Sequence, residues 1–271
     1  MASLSTRTLL RSLDGTVLAA ELAVPANAAR GVVLVHGGGV TRDEGGFFVR
    51  LADGLAAAGV ASVRFDLRGH GESGGRQEDL TLAGVGNDIR AVAEHLASIT
   101  DLRRVSVLGA SFSGGVCAVV AARHPQLVER LVLFNPLLDY KKRFVDDKDY
   151  WSGDHIDVEA GERLAADRYV AHSQSFRLGA ALLNEVFWWD ARAELARITV
   201  PTLIVHGTKD TFIPVQSSRA AVVALGGPHR LLEVDGAQHG FAVRDDPGYL
   251  QPQTQQWQAW VIDETVAWLR H

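Results

Sequence analysis

The sequence predicts an α/β protein in which a mostly parallel sheet carries helices on both of its faces. Two observations support this expectation. Short β-branched runs alternate with longer stretches of helical periodicity, and most of the short runs are continuously apolar, as in strands buried on both faces. A length of 271 residues is enough for one large domain, with or without an inserted segment.

Each expected strand is a short apolar or β-branched run that ends at a turn residue. The first two runs flank Asp14-Gly15 and predict a hairpin, and the third ends at His36 and a run of glycines. The expected strands cover residues 6–12, 17–24, 31–35, 60–65, 105–108, 131–134, 200–205 and 230–234.

The expected helices show apolar residues at helical spacing. The first stops at Gly59, a C-cap signal, and the second has Val85, Ile89, Val92 and Leu96 on one stripe. They cover residues 47–58, 80–97, 112–123, 215–225 and 256–269.

The alternation breaks between Leu137 and Asp190. A structureless loop of this length is uncommon, so an inserted cap at 137–190 is predicted, within a core domain made of residues 1–136 and 191–271. Aromatic residues cluster in this segment, and we expect Phe187, Trp188 and Trp189 to line a substrate pocket or to pack the cap onto the core.

Composition excludes several function classes. A net charge of −5 and a pI near 6.0 give no basic footprint for nucleic acid, and the longest basic run, Lys141-Lys142-Arg143, is interpreted as a solvated turn. The single cysteine, Cys117, excludes an internal disulfide and a CxxC site, and its Ala/Val-rich surroundings predict a buried thiol. With no secretion signal and no membrane-length apolar run, we expect a cytoplasmic protein without a membrane partner.

The strongest local signal is Gly109-Ala110-Ser111-Phe112-Ser113 between an expected strand and an expected helix. A serine at such a turn is held in a strained conformation that exposes its hydroxyl, and small residues must flank it at a distance of two. Ser111 is therefore the predicted nucleophile. Ser113 stands where a glycine is usual and remains the alternative.

A serine nucleophile needs a base, and the base needs an acid that orients it. His239 follows the last expected strand in a glycine-rich loop, and Asp210 follows the strand before it. The chain order Ser111, Asp210, His239 is the one expected of a parallel-sheet hydrolase. His70 is the alternative base.

The loop His36-Gly37-Gly38-Gly39 lets backbone N–H groups approach a substrate oxygen. The N–H groups of Gly38 and Phe112 are the expected oxyanion donors. Gly39 is next in order, and we also expect it to line the substrate pocket. Residues 69–74 match G-x-G-x-x-G, but no helix follows at once, so nucleotide binding is not expected there. No metal-ligand spacing such as H-E-x-x-H is present, and no metal or cofactor is predicted.

Together these segments resemble the α/β-hydrolase superfamily over nearly the whole chain. The matching segments are residues 36–38, 65–73, 109–112 and 201–210, together with His239. The resemblance implies an eight-stranded α/β-hydrolase fold with a cap, and a structural role for Asp66 and the Arg68–Ser73 turn. Within the superfamily, the cap is similar to those of cinnamoyl and feruloyl esterases, and the Ser-x-Ser elbow is similar to that of some acyl-transfer thioesterases.

The implied reaction is hydrolysis of a carboxylic ester through an acyl-enzyme. A thioester, C–C or amide substrate for the same residues is the first alternative, and a catalytically silent ligand-binding protein is the second. The expected partner is a small ester or thioester, with a second copy of the chain in a homo-oligomer as a further candidate.

Overall fold

The computed structural model of the chain describes residues 5–270 and is built around one eight-stranded sheet. Its strands, in chain order, are β1 (Thr6–Arg11), β2 (Val17–Ala23), β3 (Arg30–Val35), β4 (Val60–Phe65), β5 (Val105–Ala110), β6 (Val128–Phe134), β11 (Thr202–Gly207) and β12 (His229–Val234). Their order across the sheet is β1-β2-β4-β3-β5-β6-β11-β12. Strand β2 pairs antiparallel with β1 and β4, and the other pairs are parallel. The predicted mostly parallel sheet of eight strands is confirmed.

Helices cover both faces of the sheet, as predicted. Helices α2 (Leu82–Thr100) and α3 (Phe112–Arg123) pack on one face, and α1 (Phe47–Ala57) and α8 (Pro252–Arg270) pack on the other. A further helix, α7 (Gln216–Ala224), connects β11 to β12. The inner strands explain this arrangement, because β3, β4, β5 and β11 are buried along nearly their whole length and therefore on both faces.

The segment between β6 and β11 has elements of its own. These are a π-helical turn (Lys142–Asp146), β7 (Trp151–Ser152), β8 (His155–Ile156), α4 (Val158–Asp167), β9 (Tyr169–Ala171), β10 (Arg177–Gly179), α5 (Ala180–Glu185) and α6 (Ala191–Glu194). Strands β7 to β10 form two small hairpin sheets apart from the central one. The domain boundaries at 136/137 and 190/191 remain a prediction.

This segment is anchored directly on the core. The hydroxyl of Tyr140 donates to the carbonyl of Phe112 at 2.6 Å and accepts the N–H of Val116 at 3.0 Å, both in α3. Phe144 and Phe176 are buried in the same apolar cluster as the face of the sheet that carries α2 and α3. The segment therefore shares one continuous core with the sheet.

The sheet order locates the place where a ligand is expected. The chain moves from β3 to β4 in one direction and then returns past β3 to β5, so the strand order reverses between β3 and β5. In open α/β sheets, ligands bind outside the carboxyl ends of the strands at such a reversal. The loop after β3 and the turn after β5 carry His36 to Gly39 and Ser111.

Candidate active site

Ser111 lies in the turn between β5 and α3 with φ +50° and ψ −117°. This conformation is unfavourable for any residue with a side chain, and it persists only where the surroundings enforce it. Here the N–H of Ser111 donates to the Phe134 carbonyl at 2.9 Å, and the Ser111 carbonyl accepts the N–H groups of Gly114 and Leu137. The strained turn is therefore held at both of its peptide groups.

The positions two residues to either side of Ser111 are tightly packed. A Cβ on Gly109 would lie 2.6 Å from the sulfur of Cys117, so only glycine fits there. Ser113 is completely buried, and its hydroxyl donates to the carbonyl of His36 at 2.6 Å. The alternative nucleophile is thus engaged in holding the loop after β3.

Asp210 and His239 meet at the carboxyl ends of β11 and β12. The Nδ1 of His239 lies 2.7 Å from the Oδ2 of Asp210, and the imidazole remains partly exposed while the carboxylate is buried. Ser111 and His239 line the same cleft without a direct hydrogen bond between them. Catalytic hydrogen bonds of unliganded enzymes are often long and tighten only when substrate binds.

The carboxylate of Asp210 is fully supported. Its Oδ1 accepts the N–H groups of Phe212 and Ile213 at 2.8 and 2.9 Å, and the Nε2 of His206 lies 3.5 Å from its Oδ2. Burial alone would raise the pKa of Asp210, but the hydrogen bonds from His206 and His239 outweigh it and hold the pKa well below its ordinary value. Asp210 is therefore ionised and able to orient His239.

The expected oxyanion donors differ in what they contact. Phe112 is the first residue of α3, so its N–H has no acceptor within the helix, and both Phe112 and Gly38 line the cleft. The N–H of Gly39 instead donates to the Nε2 of His70 at 3.1 Å. This hydrogen bond engages both Gly39, the next candidate donor, and His70, the alternative base. Neither residue lines the cleft.

One residue near Ser111 was missed in the sequence. Glu44, at φ +46° in the turn before α1, accepts the N–H of Gly37 at 2.8 Å and so fixes the start of the glycine loop. Burial raises the pKa of Glu44, although the neighbouring His239 and the Gly37 hydrogen bond oppose the shift. No sequence signal identifies this role, because it depends on a loop conformation that brings Glu44 back to Gly37.

The cleft at Ser111 is a cavity of about 160 Å³ whose walls combine apolar and polar side chains. It is lined by Gly38, Ser111, Phe112, Leu137, Arg143, Phe144, His172, Ser173, Phe176, Phe212, Ile213 and His239. The wall on the side of the inserted segment comes from the π-helical turn and from residues 172–176. The cleft therefore joins Ser111 and His239 to a small aromatic pocket.

The structure corrects the prediction that Phe187, Trp188 and Trp189 line this pocket. Trp188 is 91% exposed, Phe187 lies near Trp151, and Trp189 packs beneath the guanidinium of Arg123. Phe187 and Trp189 are half-buried and pack against the main apolar cluster, as the alternative expectation had it, and none of the three lines the cleft at Ser111. The pocket aromatics are Phe112, Phe144, Phe176 and Phe212 instead.

The turn after β4 has the structural role that the resemblance implied. Asp66 is completely buried and accepts the N–H groups of Arg42 and Glu72 at 2.7 and 2.9 Å, together with the guanidinium of Arg42. The carboxylate thus ties the turn to the loop after β3.

The described part of the chain contains neither a metal-binding cluster nor a membrane-spanning helix. Within residues 5–270 no group of three or more His, Cys, Asp and Glu side chains is arranged to hold a metal ion. None of the helices described there is both long and apolar enough to cross a membrane.

Comparison with known proteins agrees with this architecture. The family model described as serine aminopeptidase, S33, matches residues 26–153, which include the glycine loop and Ser111 but not Asp210 or His239. The monoacylglycerol lipase of Mycolicibacterium smegmatis is 27% identical over 279 residues, covering 95% of this chain and 94% of that protein.

Two solved structures illustrate the shared fold. Est1E from Butyrivibrio proteoclasticus, solved with ferulic acid bound, superposes with a TM-score of 0.76 at 20% identity, covering 95% of this chain and 99% of that one. The dienelactone hydrolase from Anabaena variabilis gives a TM-score of 0.67 at 18% identity, covering 99% and 97%. The sheet, the strained serine turn and these solved structures lead to one conclusion: the chain has the α/β-hydrolase fold.

Proposed function

We propose that the chain is a serine esterase of small carboxylic esters, in which Ser111, His239 and Asp210 form the catalytic triad. The observation that carries the proposal is the meeting of a strained, partly exposed serine with a carboxylate-oriented histidine at one cleft. The curated relative named monoacylglycerol lipase and the neighbour with bound ferulic acid support an ester as the substrate class. A cytoplasmic location remains part of the proposal.

The proposed reaction has two halves. The Ser111 hydroxyl attacks the ester carbonyl while His239 takes its proton, and the N–H groups of Gly38 and Phe112 stabilise the negative oxygen. The C–O bond to the alcohol then breaks, and His239 returns the proton to the leaving oxygen. Water, activated by the same imidazole, hydrolyses the acyl-enzyme and restores the free serine.

The dimensions of the cleft favour small substrates. A cavity of about 160 Å³ is smaller than the 300 Å³ or more that is typical of sites for drug-sized ligands. A short acyl chain or a single small ring fits within it, whereas a long acyl chain would have to extend into solvent. We therefore expect activity to fall as the acyl chain is lengthened.

The first experiment identifies the nucleophile without assuming a substrate. The purified protein is treated with a fluorophosphonate probe, and the modified peptide is located by mass spectrometry. We expect one adduct on Ser111, strongly reduced in His239→Ala, because the hydroxyl is weak without its base. Loss of Ser111 itself should lower kcat on a short ester by about 10⁶-fold.

Ser113→Ala is the matched control, since it removes a hydroxyl two residues away. An adduct on Ser113 would overturn the assignment of the nucleophile. Absence of any adduct, together with tight ligand binding, would favour the catalytically silent alternative. Matched esters and thioesters with the same acyl group would then separate esterase from thioesterase activity by their kcat/KM values.

A further inference from the structure

The cleft at Ser111 contains a cationic side chain that no acid of the described protein neutralises. Arg143 lies half-buried in the π-helical turn Lys142–Asp146 and lines the cleft with Ser111 and His239. Its neighbours Lys141 and Lys142 pair with Asp146 and Asp147 on the outer surface. Across residues 5–270, by contrast, no carboxylate forms an ion pair with Arg143, and its guanidinium lies over the ring of Phe212 at 5.9 Å.

A second polar group in the same wall also lacks a partner. The Nδ1 of His172 is buried without a hydrogen-bond partner among the described residues, and His172 lines the cleft. Burial and the nearby charges of Lys148 and Arg143 lower the pKa of His172 to about 3, so its imidazole is neutral at physiological pH. Buried polar groups in native proteins are nearly always hydrogen-bonded, and exceptions require an explanation.

The rest of the cleft restricts what can supply that partner. Its remaining walls are mainly aromatic and aliphatic, from Phe112, Leu137, Phe144, Phe176 and Ile213. A ligand that fits both the apolar walls and the polar pair Arg143 and His172 has a small apolar body and one anionic oxygen group. The planar guanidinium of arginine binds a carboxylate through two parallel hydrogen bonds, and partial burial strengthens such a pair.

On the basis of the esterase function proposed above, we propose that the substrates of this enzyme are small esters that carry a free carboxylate, which Arg143 binds within the cleft. His172 supplies a neutral hydrogen-bonding group next to that carboxylate. The apolar walls hold the carbon skeleton between Arg143 and Ser111. Arg143 is thus a specificity-determining residue that acts on the part of the substrate remote from the ester bond.

Matched pairs of esters test this directly, because each pair differs only in replacing a terminal methyl group by a carboxylate. The acyl-side pairs are methyl butyrate with monomethyl succinate, methyl pentanoate with monomethyl glutarate, and methyl hexanoate with monomethyl adipate. Butyl acetate with the acetate ester of 4-hydroxybutanoate places the charge on the alcohol side. In at least one pair, we expect the carboxylate to raise kcat/KM about 10- to 100-fold, chiefly through KM.

Arg143→Met keeps the length and apolar surface of the side chain but removes its charge. It should bring the ratio of kcat/KM between the carboxylate and methyl members of each pair to about 1. Arg163→Met is the matched control. Arg163 is paired with Glu159 on exposed α4, so its loss changes net charge equally but should leave the ratio unaltered. If wild type treats both members of every pair alike, or if Arg143→Met leaves a preference intact, the inference is wrong.

Binding separates this inference from the esterase proposal. Calorimetry with the same esters and Ser111→Ala protein measures recognition without turnover. Tighter binding of the carboxylate member, lost in Ser111→Ala/Arg143→Met, supports the role of Arg143 even if wild type hydrolyses none of the esters. Equal binding within every pair overturns it, whatever the activity on neutral esters.

Discussion

At the scale of single residues, Gly38 and Phe176 illustrate how the inserted segment shapes the glycine loop after β3. A Cβ on Gly38 would lie 2.6 Å from the edge of the Phe176 ring, and that ring packs against Phe112 with the ring centres 5.1 Å apart. The two expected oxyanion donors therefore share one aromatic neighbour, and its position limits where the loop can lie.

We expect Gly38→Ala to lower kcat/KM about 10²-fold, because the new methyl group forces either the loop or the ring to move and misdirects the N–H of residue 38. Phe176→Ala removes the atoms that would clash. In that background Gly38→Ala should cost less than about 5-fold. The measurement is a double-mutant cycle on kcat/KM for one short ester, and equal losses in both backgrounds would contradict the steric explanation.

At the scale of secondary-structure elements, α2 is held on the sheet by a buried ion pair. Asp88 on α2 is completely buried and binds Arg68 through two hydrogen bonds of 2.6 and 2.8 Å. The same helix begins under a carboxylate from the inserted segment, since Glu185 accepts the N–H groups of Leu82 and Ala83. Charged side chains therefore fix both the position and the start of α2.

Asp88→Ala should lower the free energy of unfolding by about 3 kcal/mol, because it leaves the largely buried guanidinium of Arg68 without its main partner. Glu94→Ala is a matched control on the same helix. It also breaks an arginine–carboxylate pair, but the Arg90–Glu94 pair is exposed, so the loss should stay below about 1 kcal/mol. Urea denaturation of both variants provides the comparison. Similar losses in unfolding free energy would show that the buried pair stabilises the protein no more than the exposed one.

At the scale of the whole molecule, the single cysteine reports on the integrity of the core. Cys117 is completely buried on α3 against β5, as the Ala/Val-rich surroundings predicted, and burial raises the pKa of its thiol. Reaction with a thiol reagent requires the thiolate and access to it. The thiol can therefore react only after α3 separates from the sheet.

We expect the native protein to resist labelling by Ellman's reagent for hours and the denatured protein to react fully. In intermediate urea, the labelling rate should follow unfolding measured by tryptophan fluorescence, with Cys117→Ser as the unreactive control. Rapid labelling while activity and fluorescence stay native would instead reveal local opening beneath the strained serine turn.

The sequence predicted those parts of the site that depend on local order. Ser111, Asp210 and His239 each follow a strand of the sheet, and parallel strands bring their carboxyl ends to one edge. The inserted segment offers no such rule, because its contacts depend on tertiary packing that periodicity does not encode. The basic run at 141–143 shows the difference, since two of its side chains are solvated as expected while Arg143 turns into the cleft.

Phe144 and Phe176 belong both to the cleft wall and to the main apolar cluster of the protein. Enlarging the cleft for bulkier substrates by truncating either ring would therefore also remove core packing, at a cost of about 3–5 kcal/mol. Such a loss is a large fraction of the stability of an ordinary protein. Broader substrate range, whether by natural divergence or in directed evolution, would thus require stabilising substitutions elsewhere in the chain to appear first.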